Sequence, residues 1–342
     1  MTTNIFYDSD LYQPTIGLNQ IPIIYRDEYN IAELYGLENK HIYRSDRWKN
    51  AITYLIKLNT NNLNITNFVS PNEASEKDLT LVHSPDYLTS LTNNIIINKI
   101  METLYVGNIP NNILQKNLLK PFRYQTGGSV LAGKLAMERG WSINIGGGFH
   151  HAHREGGGGF CFYADVMLTV QFILNFYKKK IKKVMIIDLD AHQANGIERD
   201  IMRQASDKFY ILDVYNSFIY PSDIEAKKAI NCNVELSNSI QDEEYLKKVE
   251  TCVENGLTQF NPDIVIYIAG SGILDTDSLG RMSISREGLI RRDEIVFTKV
   301  ISKKIPIITL MGGGLNEFYF IDSILNLNEK KLISLAPGEA IA

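Results

Sequence analysis

Cysteine is scarce in this sequence of 342 residues, and long apolar runs are missing. Cys161, Cys232 and Cys252 are too few for a disulfide framework, which indicates a reducing compartment. No segment approaches the roughly 20 consecutive apolar residues that span a bilayer. The N-terminus carries an early acidic residue and no apolar stretch, so it does not resemble a signal peptide. We therefore expect a cytoplasmic protein without a transmembrane segment.

A strong excess of one charge is missing as well. The sequence has 35 Lys and Arg against 39 Asp and Glu, a net charge of −4, so we expect no direct nucleic-acid binding. Linkers rich in proline, glycine or serine and internal repeats are also missing, which predicts a single domain over residues 1–342. A hydrophobic fraction of 44% with 22% charged residues is typical of a soluble globular protein with a large core.

Short apolar runs alternate with helical patterns along the chain. Strands are predicted at residues 142–145, 184–187, 210–214, 264–268 and 307–310. Helices are predicted at residues 48–58, 127–140, 164–176, 242–259 and 285–301, with Ser45 as the cap of the first and Gly140 as the end of the second. A capping box formed by Ser75 and Asp78 predicts the start of a further helix. Residues 1–45 are predicted to be irregular with possible short strands. This alternation predicts an α/β fold with a mostly parallel sheet covered on both faces.

Glycine and polar residues follow directly after the predicted strands. They occur at residues 146–151, 188–192, 213–215, 269–272 and 312–314. In an open α/β sheet, ligands bind outside the carboxyl ends of the strands. The sequence therefore predicts one active-site crevice at this edge of the sheet.

An Asp-x-Asp-x-His pattern ends the predicted strand 184–187. Residues two apart on an extended chain face the same way, so Asp188, Asp190 and His192 converge if the strand geometry continues. Carboxylate and imidazole groups are costly to bury without partners and are common metal ligands. The pattern favours a metal site. The alternative is a solvated turn with a capping Asp.

Two adjacent histidines follow the first glycine run. His150 and His151 in a loop can both turn into a crevice, where imidazole is the usual acid or base near neutral pH. Asp188 and Asn195 are candidates to hold the two imidazole tautomers. The alternative is that one histidine is buried in the core with its hydrogen bonds formed and the other is exposed to solvent.

A second glycine run, residues 156–159, precedes Phe160 and Cys161. It predicts either a flexible surface loop or a channel wall on which Phe160 packs against a narrow substrate. Cys161 is predicted to be a lining thiol, because no base accompanies it in the sequence. The glycine runs do not match phosphate-loop or dinucleotide fingerprints, and Gly270-Ser-Gly272 lacks the spacing of a nucleophile elbow.

These motifs, in this order, resemble those of class IV histone deacetylases. The resemblance extends from about residue 29 to 327 and includes NIGGGFHH at 144–151 and IDLDAHQ at 187–193. Further matching segments are 74–79, 124–128, 132–141, 157–161, 213–216, 283–285, 292–294 and 322–327. The resemblance implies a three-layer α/β/α arginase-like fold with a mostly parallel sheet.

The resemblance also implies a chemistry, which is zinc-dependent hydrolysis of acetyl- or fatty-acyl-lysine amides. Asp190 and His192 would be zinc ligands, and His150 and His151 the catalytic acid and base. Residues Gly158, Gly159, Phe160 and Cys161 would line the substrate channel. The implied partners are an acyl-lysine protein or peptide, or an acylated small molecule, and a structural monovalent cation is implied as well.

Two positions depart from the family pattern. Gly272 stands where the resemblance places the third zinc ligand, an aspartate. Leu315 stands where it places the oxyanion-stabilising tyrosine, and the segment after Leu315 is shorter than in the family pattern. Candidate replacements in the sequence are Asp275 and Asp277 for the aspartate and Tyr319 for the tyrosine. Two functions stay open, a deacylase of impaired activity and an inactive pseudo-deacylase that binds an acyl group or a protein partner.

Overall fold

The computed structural model describes residues 6, 8–31, 34, 46–58, 62–103, 105–204 and 206–337. In this part of the chain seven strands form one sheet in the order β1-β2-β7-β6-β3-β4-β5. Every neighbouring pair runs parallel, as predicted. The strands are β1 (Ile23–Ile24), β2 (Trp141–Asn144), β3 (Val184–Asp188), β4 (Phe209–Asn216), β5 (Cys232–Leu236), β6 (Ile264–Ile268) and β7 (Ile307–Leu310).

Eleven α-helices lie in the described ranges. They are α1 (Arg47–Leu58), α2 (Glu76–Leu79), α3 (Pro85–Ser90), α4 (Asn94–Ile100), α5 (Asn111–Leu114), α6 (Lys120–Arg139), α7 (Asp165–Phe176), α8 (Asn195–Gln204), α9 (Asp242–Phe260), α10 (Arg286–Ser302) and α11 (Glu317–Glu329). None of these helices is both long and apolar enough to cross a membrane.

The helices form two groups, one on each face of the sheet. Helix α6 packs against α7 and α7 against α8, whereas α9, α10, α11 and α1 pack in sequence against one another. The side chains of the central strands β2, β3, β6 and β7 are buried throughout. This burial explains why these strands are continuous apolar runs, and it confirms the predicted three-layer α/β/α architecture.

The sequence located most of the core elements. All five predicted strands are present, Gly140 ends α6 with a φ of 81°, and the capping box of Ser75 and Asp78 is formed. Helix α6 begins at Lys120, earlier than predicted. The predicted cap Ser45 lies outside the described residues.

Strand β5 and helix α11 were not predicted. Strand β5 is an edge strand that alternates half-buried and exposed side chains before Leu236, so it shows no apolar run. Helix α11 is capped by Asn316, whose side chain accepts a hydrogen bond from the amide of Phe318 at 3.3 Å. This N-cap was the available signal for the helix.

Four neighbouring strands bring the predicted polar segments together. In the order β2-β7-β6-β3, their carboxyl ends lead into residues 146–151, 312–315, 269–272 and 188–192. Parallel strands end at the same edge of the sheet, so these four segments meet above it.

A fully buried arginine fixes two of these strand ends. Arg292 of α10 donates hydrogen bonds to the carbonyl oxygens of Leu189 at 3.1 Å, Gly270 at 2.7 Å and Ala269 at 3.1 Å. Its Nε donates to the carboxylate of Asp293 at 2.7 Å, which pairs the buried charge. The guanidinium therefore holds the chain just beyond β3 against the chain just beyond β6.

Replacing Arg292 with Met should destabilise the fold by about 3–5 kcal/mol, because the buried Asp293 carboxylate loses its counter-charge and three carbonyls lose a donor. Urea unfolding measures this change. The matched control is Arg291→Met in the preceding residue, which is half exposed and pairs with Glu294 at 2.7 Å on the surface. That variant should change the free energy of unfolding by about 0.5 kcal/mol or less. Equal losses in the two variants would contradict the role given to Arg292.

Candidate active site

The four strand ends surround a cavity of about 490 Å³. Most of the residues predicted for the site line it, whereas Asp188 and Asn195 lie behind the two histidines and Gly158 lies beside the hydroxyl of Tyr220. The predicted residues that line the cavity are His150, His151, Gly159, Phe160, Cys161, Asp190, His192, Gly272 and Leu315.

A buried aspartate shapes the glycine loop that presents the histidines. Asp165, at the start of α7, accepts hydrogen bonds from the amides of Gly148 and Phe149, each at 2.8 Å. Gly148 has a φ of 75°, and a Cβ atom there would lie 2.9 Å from the Cα atom of Gly312. Only glycine fits this backbone conformation and this close approach of the β2 and β7 loops.

His150 is paired with a carboxylate. Its Nδ1 lies 2.8 Å from Oδ2 of Asp188, and both side chains are buried. Burial alone lowers the pKa of His150, but the charge and hydrogen bond of Asp188 outweigh it and raise the pKa to about 9. His150 is therefore an imidazolium at neutral pH, a potential proton donor.

His151 is paired with an amide. Its Nδ1 lies 2.7 Å from Oδ1 of Asn195, which only accepts, so Nδ1 carries the proton and Nε2 is free to accept. Burial, followed by the charges of His150 and His192, lowers the pKa of His151 well below its ordinary value. With ring centroids 4.1 Å apart, the two histidines form one cationic and one neutral imidazole. Such a pair can supply one acid and one base.

Asp190 and His192 lie side by side as predicted. Oδ1 of Asp190 accepts from the amide of His192 at 3.0 Å and lies 3.1 Å from its Nδ1. Oδ2 of Asp190 is buried and has no hydrogen-bond partner. Burial raises the pKa of Asp190, but the hydrogen bonds from His192 and the positive charges of His150 and His192 outweigh it and hold the pKa far below its usual range.

Gly272 faces this carboxylate. A Cβ atom built on Gly272 would lie 3.7 and 3.9 Å from the two carboxylate oxygens of Asp190, at ordinary contact distance. The position thus lies where a further ligand would stand, but it offers no donor atom. In the described ranges, no group of three His, Cys, Asp or Glu side chains is arranged to hold a metal ion. The residues present do not fit a three-ligand zinc site.

Asp277 lines the cavity but its carboxylate is engaged elsewhere. Oδ1 accepts from the amides of Leu279 at 2.9 Å and Gly280 at 3.1 Å, and Oδ2 accepts from the amide of Leu315 at 2.9 Å. Asp277 therefore fastens the β6 loop to the β7 loop. This binding to backbone amides argues against Asp277 as a replacement ligand.

The other two candidate replacements lie away from the cavity. Asp275 is exposed and is not among the residues that line it. Tyr319 is in the first turn of α11, where the guanidinium of Arg286 lies 5.7 Å from its ring centroid. Leu315 lines the cavity with an apolar side chain, so no side-chain hydroxyl is supplied at that position.

Aromatic rings form the walls of the channel. Phe160 has a φ of 65° and its amide donates to the carbonyl of Ile100 at 2.9 Å. Burial raises the pKa of the Cys161 thiol well above its ordinary value, which agrees with an unreactive lining residue. Tyr220 was not predicted as a site residue. It lines the cavity, with its ring centroid 4.9 Å from that of His151. The Tyr-Pro pair in the connection after β4 was the only sequence signal for it.

A parallel α/β sheet whose strand ends carry two buried histidines, an aspartate and a third histidine defines a histone-deacetylase type of protein. The chain belongs to this family, because the model of the histone deacetylase domain matches residues 41–328.

Similar proteins support the assignment. The chain is 42% identical over 325 residues to "Histone deacetylase 2" of Arabidopsis thaliana, which covers 94% of this chain and 82% of that protein. It is 27% identical over 297 residues to the acetoin utilization protein AcuC of Staphylococcus aureus, covering 82% of this chain and 74% of that protein.

Replacing Asp188 with Asn should lower the pKa of His150 from about 9 to below 6.5, because burial is then no longer opposed by the charge and hydrogen bond of Asp188, and the charges of Asp190 and Glu198 are the smaller contributions. The imidazole titration, followed by NMR in the presence of a chelator, measures it. Because the folded-state pKa lies above 6.5, the stabilisation from the His150 imidazolium is complete below that pH and is lost as the pH rises through 9. In Asp188→Asn, this loss of stability with rising pH should be absent. Asp275→Asn, at an exposed carboxylate, should leave the titration unchanged, and a midpoint near 9 in Asp188→Asn would contradict the assignment.

Proposed function

We propose that this chain is a class IV histone-deacetylase-like protein that still admits a lysine side chain to its pocket but hydrolyses acyl-lysine poorly or not at all. The observation that carries the proposal is that a glycine, Gly272, faces the carboxylate of Asp190 where the resemblance places a second aspartate. The position facing the carboxylate supplies no ligand, and neither Asp275 nor Asp277 replaces it.

The two substitutions affect the same reaction. A catalytic zinc ion usually has three protein ligands and a water, so Asp190 and His192 alone would make a weak site. Loss of one oxyanion donor, here at Leu315, typically costs about 10²–10³ in rate. Because both groups act on one transition state, their costs need not simply multiply.

A zinc-dependent deacylase of low activity is the second candidate. It is favoured by the intact pairs of His150 with Asp188 and His151 with Asn195, at 2.8 and 2.7 Å. These pairs supply the proton donor and acceptor that amide hydrolysis needs. In this form the substrate would be an acetyl- or fatty-acyl-lysine in a protein or peptide, or an acylated small molecule.

Three further parts of the proposal follow from the resemblance. The class IV subdivision is supported by the ten matching segments of the sequence, and a cytoplasmic location by the scarcity of cysteine. The structural monovalent cation is supported by three buried carboxylates behind the site, those of Asp188, Glu198 and Asp213. The carboxyl groups of Glu198 and Asp213 lie within hydrogen-bond distance of each other, and this group of buried acids suits a cation that takes oxygen ligands.

Metal analysis of protein purified without chelator tests the proposal. We expect well under one zinc per chain, because only two ligands are present. Gly272→Asp should raise zinc towards one per chain, since a Cβ fits at ordinary contact distance there. The double variant Gly272→Asp with Leu315→Tyr should raise turnover of acetyl- and fatty-acyl-lysine peptides by about 10²-fold or more.

The control for this experiment adds Asp190→Asn to the double variant, which should abolish the gained zinc and turnover. Near-stoichiometric zinc in the unaltered chain, lost on Asp190→Asn and accompanied by rapid turnover, would overturn the proposal. A folded double variant that binds zinc but stays inert would show that Gly272 and Leu315 are not the only defects.

A further inference from the structure

Two of the three cysteines lie next to each other although they belong to different elements. Cys232 is the first residue of β5, and Cys252 lies in the middle of α9, which packs against β5. Their thiols are within hydrogen-bond distance of each other. Neither cysteine lines the cavity, so this pair, the β5–α9 dithiol, is separate from the candidate active site.

The β5–α9 dithiol is open to small solutes. Cys232 and Cys252 are both half-buried, and the residues on either side of Cys232 are exposed. Cys161 differs, because it is buried and its thiol donates to the carbonyl of Gly159 at 3.3 Å. A small oxidant in the solvent can therefore reach the two paired thiols.

The two thiols differ in acidity. The hydrogen bond from Cys232 outweighs burial and, with the charge of Lys248 one helical turn earlier, lowers the pKa of Cys252 to about 7. The same hydrogen bond, together with burial and the charge on Cys252, raises the pKa of Cys232 well above its ordinary value. Lys248 also pairs with Glu244 at 3.5 Å, so its charge is shared. Near neutral pH Cys252 is therefore the more reactive thiol, and Cys232 is the donor beside it.

Strand β5 is attached to the sheet along one side. In the described part of the chain it pairs with β4 alone, and its side chains before Leu236 alternate between half-buried and exposed. The connection that leads into β5 supplies Phe218, Ile219 and Tyr220 to the cavity wall. A covalent bond at Cys232 would fix the end of this connection to α9.

We propose that Cys232 and Cys252 form a redox-responsive dithiol, which a hydroperoxide oxidises to a reversible disulfide that fastens β5 to α9. Because the sulfur atoms are already within hydrogen-bond distance, a short approach of the two side chains towards about 2 Å forms the bond. Disulfides in a reducing compartment are usually transient and redox-sensing, which suits a bond that forms and is reduced again. The inference goes beyond the proposed function and does not depend on it.

The oxidation takes place in two steps. The Cys252 thiolate attacks one oxygen of hydrogen peroxide, so that an S–O bond forms, the O–O bond breaks and hydroxide leaves to become water. The sulfur of Cys232 then attacks the Cys252 sulfenic acid, so that the S–S bond forms, the S–O bond breaks and a second water leaves with the thiol proton. Two thiols are oxidised to one disulfide, and one peroxide is reduced to two waters.

Peptide mapping of the full chain tests this assignment. The reduced chain is treated with hydrogen peroxide, digested with trypsin without reductant and analysed by mass spectrometry. Trypsin cleaves after Lys247 and Lys248, between the two cysteines, so a disulfide joins two separate peptides. We expect this joined pair, with a mass loss of two hydrogen atoms, to disappear on treatment with dithiothreitol. In the reduced chain, iodoacetamide at pH 7 should alkylate Cys252 about tenfold or more faster than Cys161.

The matched variants are Cys232→Ser and Cys252→Ser. The first keeps a hydroxyl donor beside Cys252 but removes the second sulfur, so the Cys252 sulfenic acid should accumulate and be trapped by dimedone. The second should give neither a disulfide nor a dimedone adduct. Oxidation of the unaltered chain should raise the Tm by about 3 °C or more, because the disulfide restricts the unfolded chain, and oxidation of either variant should not. If a variant does not fold, the peptide map of the unaltered chain still decides the proposal.

Several results would contradict the assignment. Two thiols that stay reduced in peroxide, a disulfide that includes Cys161, or a disulfide between two molecules, seen as a dimer on a non-reducing gel, would overturn it. A dimedone adduct on Cys232 instead of Cys252 would overturn the order of the two steps. An oxidised chain with an unchanged or lower Tm would overturn the fastening of β5 to α9.

Discussion

The site depends on the buried guanidinium of Arg292. Its three hydrogen bonds to the carbonyls of Leu189, Ala269 and Gly270 bring the chain beyond β3 against the chain beyond β6. Asp190 directly follows Leu189, and Gly272 lies two residues after Gly270. The alignment of the two positions is therefore set by the backbone and a charge outside the cavity, and it does not require a metal ion to hold it. This explains how a position without a ligand can still face Asp190 at contact distance.

The two histidine pairs are also built into the fold. Asp188 holds His150 with Oδ2 and accepts the amide of Asp190 with Oδ1 at 3.0 Å, so it orders the strand end as well as the imidazole. Asn195 begins α8, and the next amide in that helix, of Gly196, donates to the carbonyl of His150 at 2.9 Å. These hydrogen bonds have a structural value of their own. The two histidine pairs are therefore compatible with catalysis by an acid and a base, but the fold alone is a sufficient reason for their presence.

Much of the fold, and the place of the site, could be predicted from the sequence. Fully buried parallel strands must be apolar runs, and their polar endings had to meet at one edge, which locates His150 and Asp190 in one crevice. The course of the loops could not be predicted in this way. Whether Asp277 points at the cavity or binds the amides of Leu279, Gly280 and Leu315 depends on the path of two loops relative to each other. Local sequence spacing carries no information on that path.

Local sequence spacing also does not predict residues that reach the site from a part of the chain distant in sequence. Arg292 lies in a helix pattern where an arginine normally faces solvent, and only the packing of α10 under two strand ends makes it a buried donor. Tyr319 lies four residues from Leu315 in sequence, but the start of α11 turns its ring to Arg286. Tyr220 enters the cavity from a connection with no strand or helix pattern of its own.

The charge left at the cavity floor constrains every function considered for this chain. A buried carboxylate with an unpartnered oxygen is more costly than a neutral side chain of similar size, and Oδ2 of Asp190 is such an oxygen. Burial raises the pKa of Asp190, but the hydrogen bonds from His192 and the charge of His150 outweigh it and favour the ionised form. A floor of this kind repels an acyl carbonyl, whose oxygen is itself electron-rich, unless a cation lies between them. Hydrolysis and binding of an acylated lysine therefore both need a bound cation at Asp190.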